Sequence, residues 1–315
     1  MTGLGTCRSG DVITATFVLF AGVCVFSCSS PAPKPVLPAV SRDAFADKWT
    51  DRKVVLLGLG DSITDGFGAS EGHGYFDMLT QNPKGDSPDM IGVTLSAVIA
   101  NLKVHNFSMS YSTSVEHLSH QISKLPVFPS DTFGIVCVTS GGNDCIHDYG
   151  RTPPRDGAMY GAALDQARPW IAAFEMRLKA ILDGVDKAFP GGCEIFLANI
   201  YDPTDGVGDI EHCGLPLPRW PDGLKILGEM NGVITRAASA RKNVHVVDIR
   251  SAFLGHGIHC RDRRNPYYHK DDPSYWYYEN LEDPNDIGYD AIRRLYLREI
   301  ARVFESIGPA APTKE

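Results

Sequence analysis

Basic residues are in the minority in this chain: 30 lysines and arginines stand against 38 aspartates and glutamates in 315 residues, a formal net charge of −8. With no basic surplus to neutralise phosphates, the composition argues against a nucleic-acid partner. The eight cysteines include no Cys-x-x-Cys pair, which argues against zinc-ribbon and thioredoxin-type chemistry. No His-Glu-x-x-His motif and no carboxylate cluster at metal-ligand spacing occurs, so no metal is implied. Gly58-Leu-Gly60 opens like a dinucleotide fingerprint, but Ile63 stands where the third glycine is needed, so no nucleotide cofactor is implied either. What remains is ordinary globular composition, 43% hydrophobic and 22% charged, with no internal repeat.

Long hydrophobic runs are scarce too, and the one present is short. Val12–Ser27 is almost unbroken apolar sequence behind the single cation Arg8. It is too short to cross a ~30 Å hydrocarbon core comfortably and reads as a signal-peptide core. It stops at Val-Phe-Ser-Cys28. A small residue before a cysteine, just after an apolar core, resembles the lipobox of bacterial lipoproteins, in which the cysteine is lipidated. Ordinary secretion and an uncleaved anchor are the alternatives, and all three imply export. Residues 1–28 are thus read as signal peptide and lipobox, with membrane attachment through Cys28. Residues 29–50, with four prolines before position 41, read as an extended tether. Residues 51–308 read as one domain and 309–315 as a flexible tail. Of the five cysteines after Cys28, Cys137 and Cys193 fall in apolar runs and read as core thiols. Cys213 and Cys260, both in long loops, form the candidate disulfide.

Within the domain, apolar runs alternate with helical patterns. Val54–Leu59, Val104–Phe107, Phe133–Thr139, Glu194–Asn199 and Val244–Ile249 are short and continuous, as expected of strands buried on both faces. Between and after them, Ile171, Phe174, Leu178, Ile181, Val185 and Phe189 mark one helix face. Leu227, Met230, Ile234 and Ala237 mark a second, and Ile292, Tyr296, Ile300 and Val303 a third. Five strands with intervening helices imply an α/β fold, a three-layer α/β/α sandwich around a five-stranded parallel sheet, with ligands bound beyond the strand ends. The loops 200–221 and 250–284 are long enough to carry function.

Chemistry-bearing residues cluster at those strand ends. The first strand runs into Gly60-Asp61-Ser62-Ile-Thr-Asp-Gly66, the second ends at Asn106, and the third runs into Ser140-Gly-Gly-Asn143-Asp144. A serine at the tip of a buried strand is presented to a cleft, and an amide beside it can donate to a developing oxyanion. Gly68-Ala-Ser70-Glu-Gly72 matches another nucleophile pattern but lacks the strand that pattern requires. Gly-Asp-Ser, then an asparagine-initiated block, then Gly-Gly-Asn-Asp, resembles the GDSL or SGNH hydrolase family over residues 53–308. The resemblance implies a flavodoxin-like serine esterase with Ser62 as nucleophile. The N–H groups of Ser62 and Tyr111, with the Asn143 amide, would form the oxyanion hole. Tyr111 stands where the family has glycine, so a positive φ there would be costly. The substrate implied is an acyl or acetyl ester of a glycan, a lipid or a small molecule.

The final block departs from the family. The family closes with Asp-x-x-His before its last helix. Here Pro284, Asn285, Gly288 and Tyr289 fix the register and put Asp283 in the histidine position and Asn280 in the aspartate position. Three readings follow. A histidine of the preceding loop supplies the base, His259 first and His256 second. Alternatively Asp283 acts itself, its pKa raised by burial. Or hydrolysis is lost and the cleft binds a surface glycan. An O-acyltransferase using the same serine is a further alternative. Tyr267, Tyr268 and Tyr275–Tyr278 form either a binding wall or a local core.

Overall fold

The computed structural model describes residues 35–307. The readings for residues 1–28, Cys28 and 309–315 therefore lie outside the described residues. Each apolar run becomes a strand: β1 (Lys53–Leu59), β2 (Leu102–Asn106), β3 (Thr132–Val138), β4 (Cys193–Ala198) and β5 (Val244–Val247). They form one sheet in the order β2-β1-β3-β4-β5, parallel at every pairing. That is the flavodoxin-like order. The helices that frame the site are α1 (Ser62–Asp65), α2 (Gly142–Ile146), α3 (Leu164–Ala188), α4 (Gly223–Ser239), α5 (Ile249–Phe253) and α6 (Asp286–Ile307).

Alternation along each strand sorts the core into two layers. Val54, Leu56, Ile135, Cys137 and Phe196 face one side; Val55, Leu57, Val136, Val138, Ile195 and Leu197 face the other. Helix α6 covers the first layer with Ile292, Tyr296, Ile300 and Val303, all buried as their spacing predicts. Helices α3 and α4 cover the second, each fully buried large apolar side chain contributing about 1.5–3 kcal/mol. On α4 the buried stripe is Ile226, Met230, Val233, Ile234 and Ala238. Leu227 turns instead toward a cavity at the strand ends. Strand β5 stops earlier than its apolar run because the Asp248 carboxylate accepts the Ser251 N–H at 3.1 Å and caps α5.

Two expectations fail here. Residues 35–50 are packed rather than extended as a tether: Phe45 is buried, Trp49 stacks on Phe304 at 5.1 Å, and Thr50 bridges to Ile99. Aromatic side chains hold this stretch where proline content suggested a spacer. Cys213 and Cys260 are free thiols, as are the other three described cysteines. Cys260 is buried, whereas the Cys213 sulfur turns toward the Leu215 carbonyl at 3.9 Å.

The strand order reverses between β1 and β3, and ligands in such sheets bind at that switch point. Leu59 pairs with Val138, so Gly60-Asp61-Ser62 and Thr139-Ser140-Gly141 leave the sheet side by side. Gly60 is required there. Its φ is +129°, and a Cβ would meet the Thr139 carbonyl oxygen at 2.2 Å.

Candidate active site

Ser62 is the first residue of α1, and its position is set by the residue before it. The Asp61 carboxylate caps the turn by accepting the Ile63 N–H at 3.2 Å, and Thr139 Oγ1 donates to the same oxygen at 2.8 Å. From the other side Tyr289 Oη donates to the Phe67 carbonyl at 2.6 Å, tying α6 to the serine loop. Asn106 Nδ2 donates to the Thr64 carbonyl at 3.2 Å and fastens the end of β2 to α1. Ser70 is tied to Asp286 through Oγ and N–H, both at 2.7 Å, a structural role away from the strand tip.

At the end of β3, Gly141 (φ +102°) turns the chain into α2. Asn143 then shares one cavity with Ser62 although eighty-one positions separate them. Its Nδ2 donates to the Ser112 carbonyl at 3.0 Å. Buried Asp144 accepts the Ser114 N–H and Oγ at 2.9 and 2.6 Å, locking the Asn106–Ser114 stretch against α2. Tyr111 lies in that stretch with φ +66° and is 64% exposed. The left-handed backbone is adopted here without glycine.

The third side of the site is the turn before α6. Asn280 Oδ1 accepts the Asp283 N–H at 3.1 Å, Leu281 takes φ +68°, and Tyr278 N–H donates to the Asp283 carbonyl at 2.7 Å. Asn285 caps α6 by accepting the Ile287 and Gly288 N–H groups. The result is that Asp283, only 2% exposed, faces Ser62. Its Oδ2 accepts Asn280 Nδ2 at 2.6 Å, while its Oδ1 is buried with no hydrogen-bond partner. Burial raises its pKa, and the nearby Ser62 hydroxyl and the bond from Asn280 oppose the rise. Two more carboxyls stand close. Asp61 is pushed up to about 6 by burial, with the charge of Asp283 adding to the effect. Glu282 is pushed up to about 7 by burial and by the charges of Asp283 and Asp61, against the effect of the nearby Tyr149 hydroxyl.

Neither loop histidine is brought to Ser62. His259 Nε2 is paired with Asp209 Oδ1 at 2.8 Å, and its N–H donates to Asp205 Oδ2 at 2.9 Å. His256 is buried between Trp276 and His269, with ring centroids 3.6 and 4.8 Å away, and its Nδ1 bonds the Ser274 carbonyl. Both hold the 250–284 loop together. Trp276 and Tyr277 are buried in the core layer beneath α6, against Phe253, whereas Tyr278 is exposed and meets Phe67 edge-on at 6.1 Å.

Sequence reasoning missed Glu282, Ser140 and His117. His117 is buried, with Nδ1 and Nε2 each 2.9 Å from the hydroxyls of Ser140 and Ser112. Ser112 Oγ is 2.6 Å from the Met109 carbonyl, to which it donates. It therefore accepts from Nε2–H, which leaves Nδ1 to accept from Ser140. Burial lowers the His117 pKa to about 4, so the ring is neutral at working pH and braces the Asn143 wall. Nothing in its polar surroundings, Ser-Val-Glu-His-Leu-Ser-His, signals burial.

Behind Ser62 the cavity extends about 130 Å³, walled by Ile146, Ile200, Leu217, Trp220, Leu224 and Leu281. The 200–221 loop supplies three of these walls, which is what its length suggested. No lysine, arginine or histidine lines the cavity among the described residues. Nor do they contain a group of three or more His, Cys, Asp or Glu side chains placed to hold a metal ion.

A family model, GDSL-like lipase/acylhydrolase, matches residues 59–291. The extracellular lipase of Streptomyces rimosus is 18% identical, with 80% of this chain and 99% of that chain covered at a TM-score of 0.50, and so shares the fold. Phospholipase A1 of Streptomyces albidoflavus is 20% identical over 81% and 99% of the two chains, at a TM-score of 0.46. A psychrotrophic esterase of Pseudoalteromonas is 15% identical over 80% and 98%, also at 0.46. No curated protein matches the chain.

Proposed function

The chain belongs to the GDSL-like lipase/acylhydrolase family, and from that premise we propose that it cleaves short-chain acyl esters through an acyl-enzyme on Ser62. The observation that carries the reading is the shared cavity of Ser62 and Asn143, with a buried carboxylate, Asp283, neighbouring Ser62 and keeping one oxygen without a partner. Asp283 takes the proton of Ser62, and Ser62 Oγ attacks the ester carbonyl. The Ser62 and Tyr111 N–H groups and Asn143 Nδ2 receive the developing oxyanion. The apolar cavity receives the acyl chain. Its volume of about 130 Å³ is close to that of a cavity that holds benzene, which suits an acyl group of about six carbons. Export, with Cys28 anchoring the protein to a membrane, belongs to the same proposal and rests on the Val12–Ser27 run alone.

The test is labelling with a fluorophosphonate probe alongside hydrolysis of nitrophenyl esters of graded chain length. Wild-type protein labels and prefers chains of about four to eight carbons. Ser62→Ala abolishes labelling and lowers hydrolysis by about 10³-fold or more. The missing histidine favours one competing reading, a cleft that binds an ester without cleaving it. Folded wild-type protein that neither labels nor hydrolyses any ester of the series establishes that reading instead.

A further inference from the structure

Asn280 and Asp283 stand where the family resemblance places an acceptor and a donor, aspartate and histidine. The polarity of the pair is inverted here: the amide of Asn280 donates and carboxylates accept. Nor is Asp283 its sole partner. Asn280 Nδ2 lies 2.6 Å from Asp283 Oδ2 and 3.3 Å from Glu282 Oε1. In an extended chain successive side chains point to opposite faces. The turn, with Leu281 at φ +68°, instead gathers two consecutive carboxyls onto one amide. Glu282 lines the cavity together with Ser62, Asn143 and Tyr149, whose hydroxyl faces the Glu282 carboxyl. Asp283 Oδ1 is buried without a partner, and the carboxyl that carries it neighbours Ser62.

We propose that Glu282 and Asp283 are an acid–base pair acting at opposite ends of the ester, Asp283 on the serine proton and Glu282 on the leaving alcohol. The inference rests on the reading of Ser62 as nucleophile and adds a second catalytic residue to it. In acylation the Ser62 proton passes to Asp283, the Oγ–carbon bond forms, and the carbonyl π pair moves to oxygen. As that pair returns, the carbon–alkoxide bond breaks, and the alkoxide takes the proton of Glu282 and leaves as alcohol. In deacylation water attacks the acyl carbon and its proton passes to Glu282. The carbon–Oγ bond then breaks, and Oγ recovers the proton held by Asp283. Ester and water have become acid and alcohol, and both carboxyls are back in their starting states.

The surroundings favour that starting state. The Ser62 hydroxyl nearby and the bond from Asn280 stabilise charge on Asp283, whereas burial and two neighbouring carboxylates favour the proton on Glu282, at about 7. The titratable groups facing the pair are Asp61 from the end of β1, Tyr149 from the turn after α2, Tyr201 from the 200–221 loop and Tyr289 from α6. Activity is therefore lost as pH rises through about 7, when Glu282 loses its proton. It is lost again as pH falls through the raised value of Asp283. Asp61, at about 6, couples to both limbs, which belong to the group of three carboxyls.

The experiment compares two esters of one acid, a nitrophenyl ester whose alcohol departs without protonation and an ethyl ester whose alcohol does not. Glu282→Gln lowers kcat/KM on the ethyl ester by about 10²-fold or more, lowers it far less on the nitrophenyl ester, and removes the alkaline limb near pH 7. Equal losses on both esters, or an alkaline limb that persists in the variant, overturn the pair while leaving Ser62 in place. Fluorophosphonate labelling of the variant reports whether its site is folded. Should it fail to fold, the wild-type profile decides, since activity that keeps rising to pH 9 rejects Glu282 as the acid. Undiminished hydrolysis by Ser62→Ala is a different failure and removes the underlying reading.

Discussion

At the carboxyl ends of β1 and β3 the reactive groups are placed by backbone, whereas in the turn before α6 they are placed by side chains. Ser62 and Asn143 emerge from adjacent parallel strands whose register puts Leu59 beside Val138, with Gly60 and Gly141 supplying conformations that other residues resist. Little in that arrangement can change without loss of the sheet's end. In the Asn280–Asp283 turn the same job is done by one amide, two carboxyls and a leucine in a left-handed conformation. Side chains there can be exchanged for others that carry a proton, provided burial adjusts their pKa. The comparison teaches that the proposed nucleophile and oxyanion donor are tied to the fold, while the identity of the proposed base is tied to its local environment.

The hardest test of that contrast is Asp283→Asn. The variant keeps the shape of the side chain and its neighbour Asn280, but it cannot accept a proton. Kinetics on any ester should show kcat/KM down by about 10²–10⁴-fold across the pH range. A loss smaller than tenfold would mean that proton transfer lies elsewhere and that the turn is only scaffolding.

What could be read from the chain follows the same division. Strands β1 and β3 were legible because a continuous apolar run is what burial on both faces demands, and they show it residue by residue. The edge strand β2 was expected buried and is exposed along nearly all its length, because no strand pairs with its outer side. Gly60 and Gly141 marked the strand ends, so Ser62 and Asn143 could be paired before any coordinates. The position of Asp283 was legible from Pro284, Asn285, Gly288 and Tyr289, but its proton affinity was not, since that depends on enclosure by residues far apart in sequence. His259 misled for the same reason. Its partner Asp209 comes from another loop, fifty positions away, and no local pattern announces the pairing. Leu227 was placed in the core by spacing alone, although a helix at the rim of a cavity gives part of its apolar face to the ligand.

A second test works from the discarded side. His259→Gln removes the pairing with Asp209 and leaves the Ser62 cavity untouched. Stability measured by denaturant should fall by about 1 kcal/mol, the net contribution of a single partly exposed hydrogen bond. Its kcat/KM should stay within about twofold of wild type, the ring lying outside the reacting groups. A drop of a hundredfold in rate with unchanged stability would return the base to this loop and erase the distinction between the two regions.

The smallest effect expected is at Tyr111, where the two modes of construction meet. It occupies a backbone conformation that glycine adopts more readily, with φ +66°, yet its ring is 64% exposed and meets Phe67 edge-on at 6.1 Å. A left-handed conformation costs a non-glycine residue about 1–2 kcal/mol. Replacing it with glycine removes that strain, returns part of the gain as unfolded-chain entropy, and loses little packing. Tyr111→Gly should therefore stabilise the protein by about 0.5–1 kcal/mol, read as a higher midpoint of urea denaturation at unchanged m. If the proposed oxyanion donor is the backbone N–H, kcat/KM on nitrophenyl esters changes little in the same variant. A stabilised protein that loses activity would show that the tyrosine ring itself takes part at the mouth of the site, and that side chains reach further into the backbone-built half than the strand ends suggest.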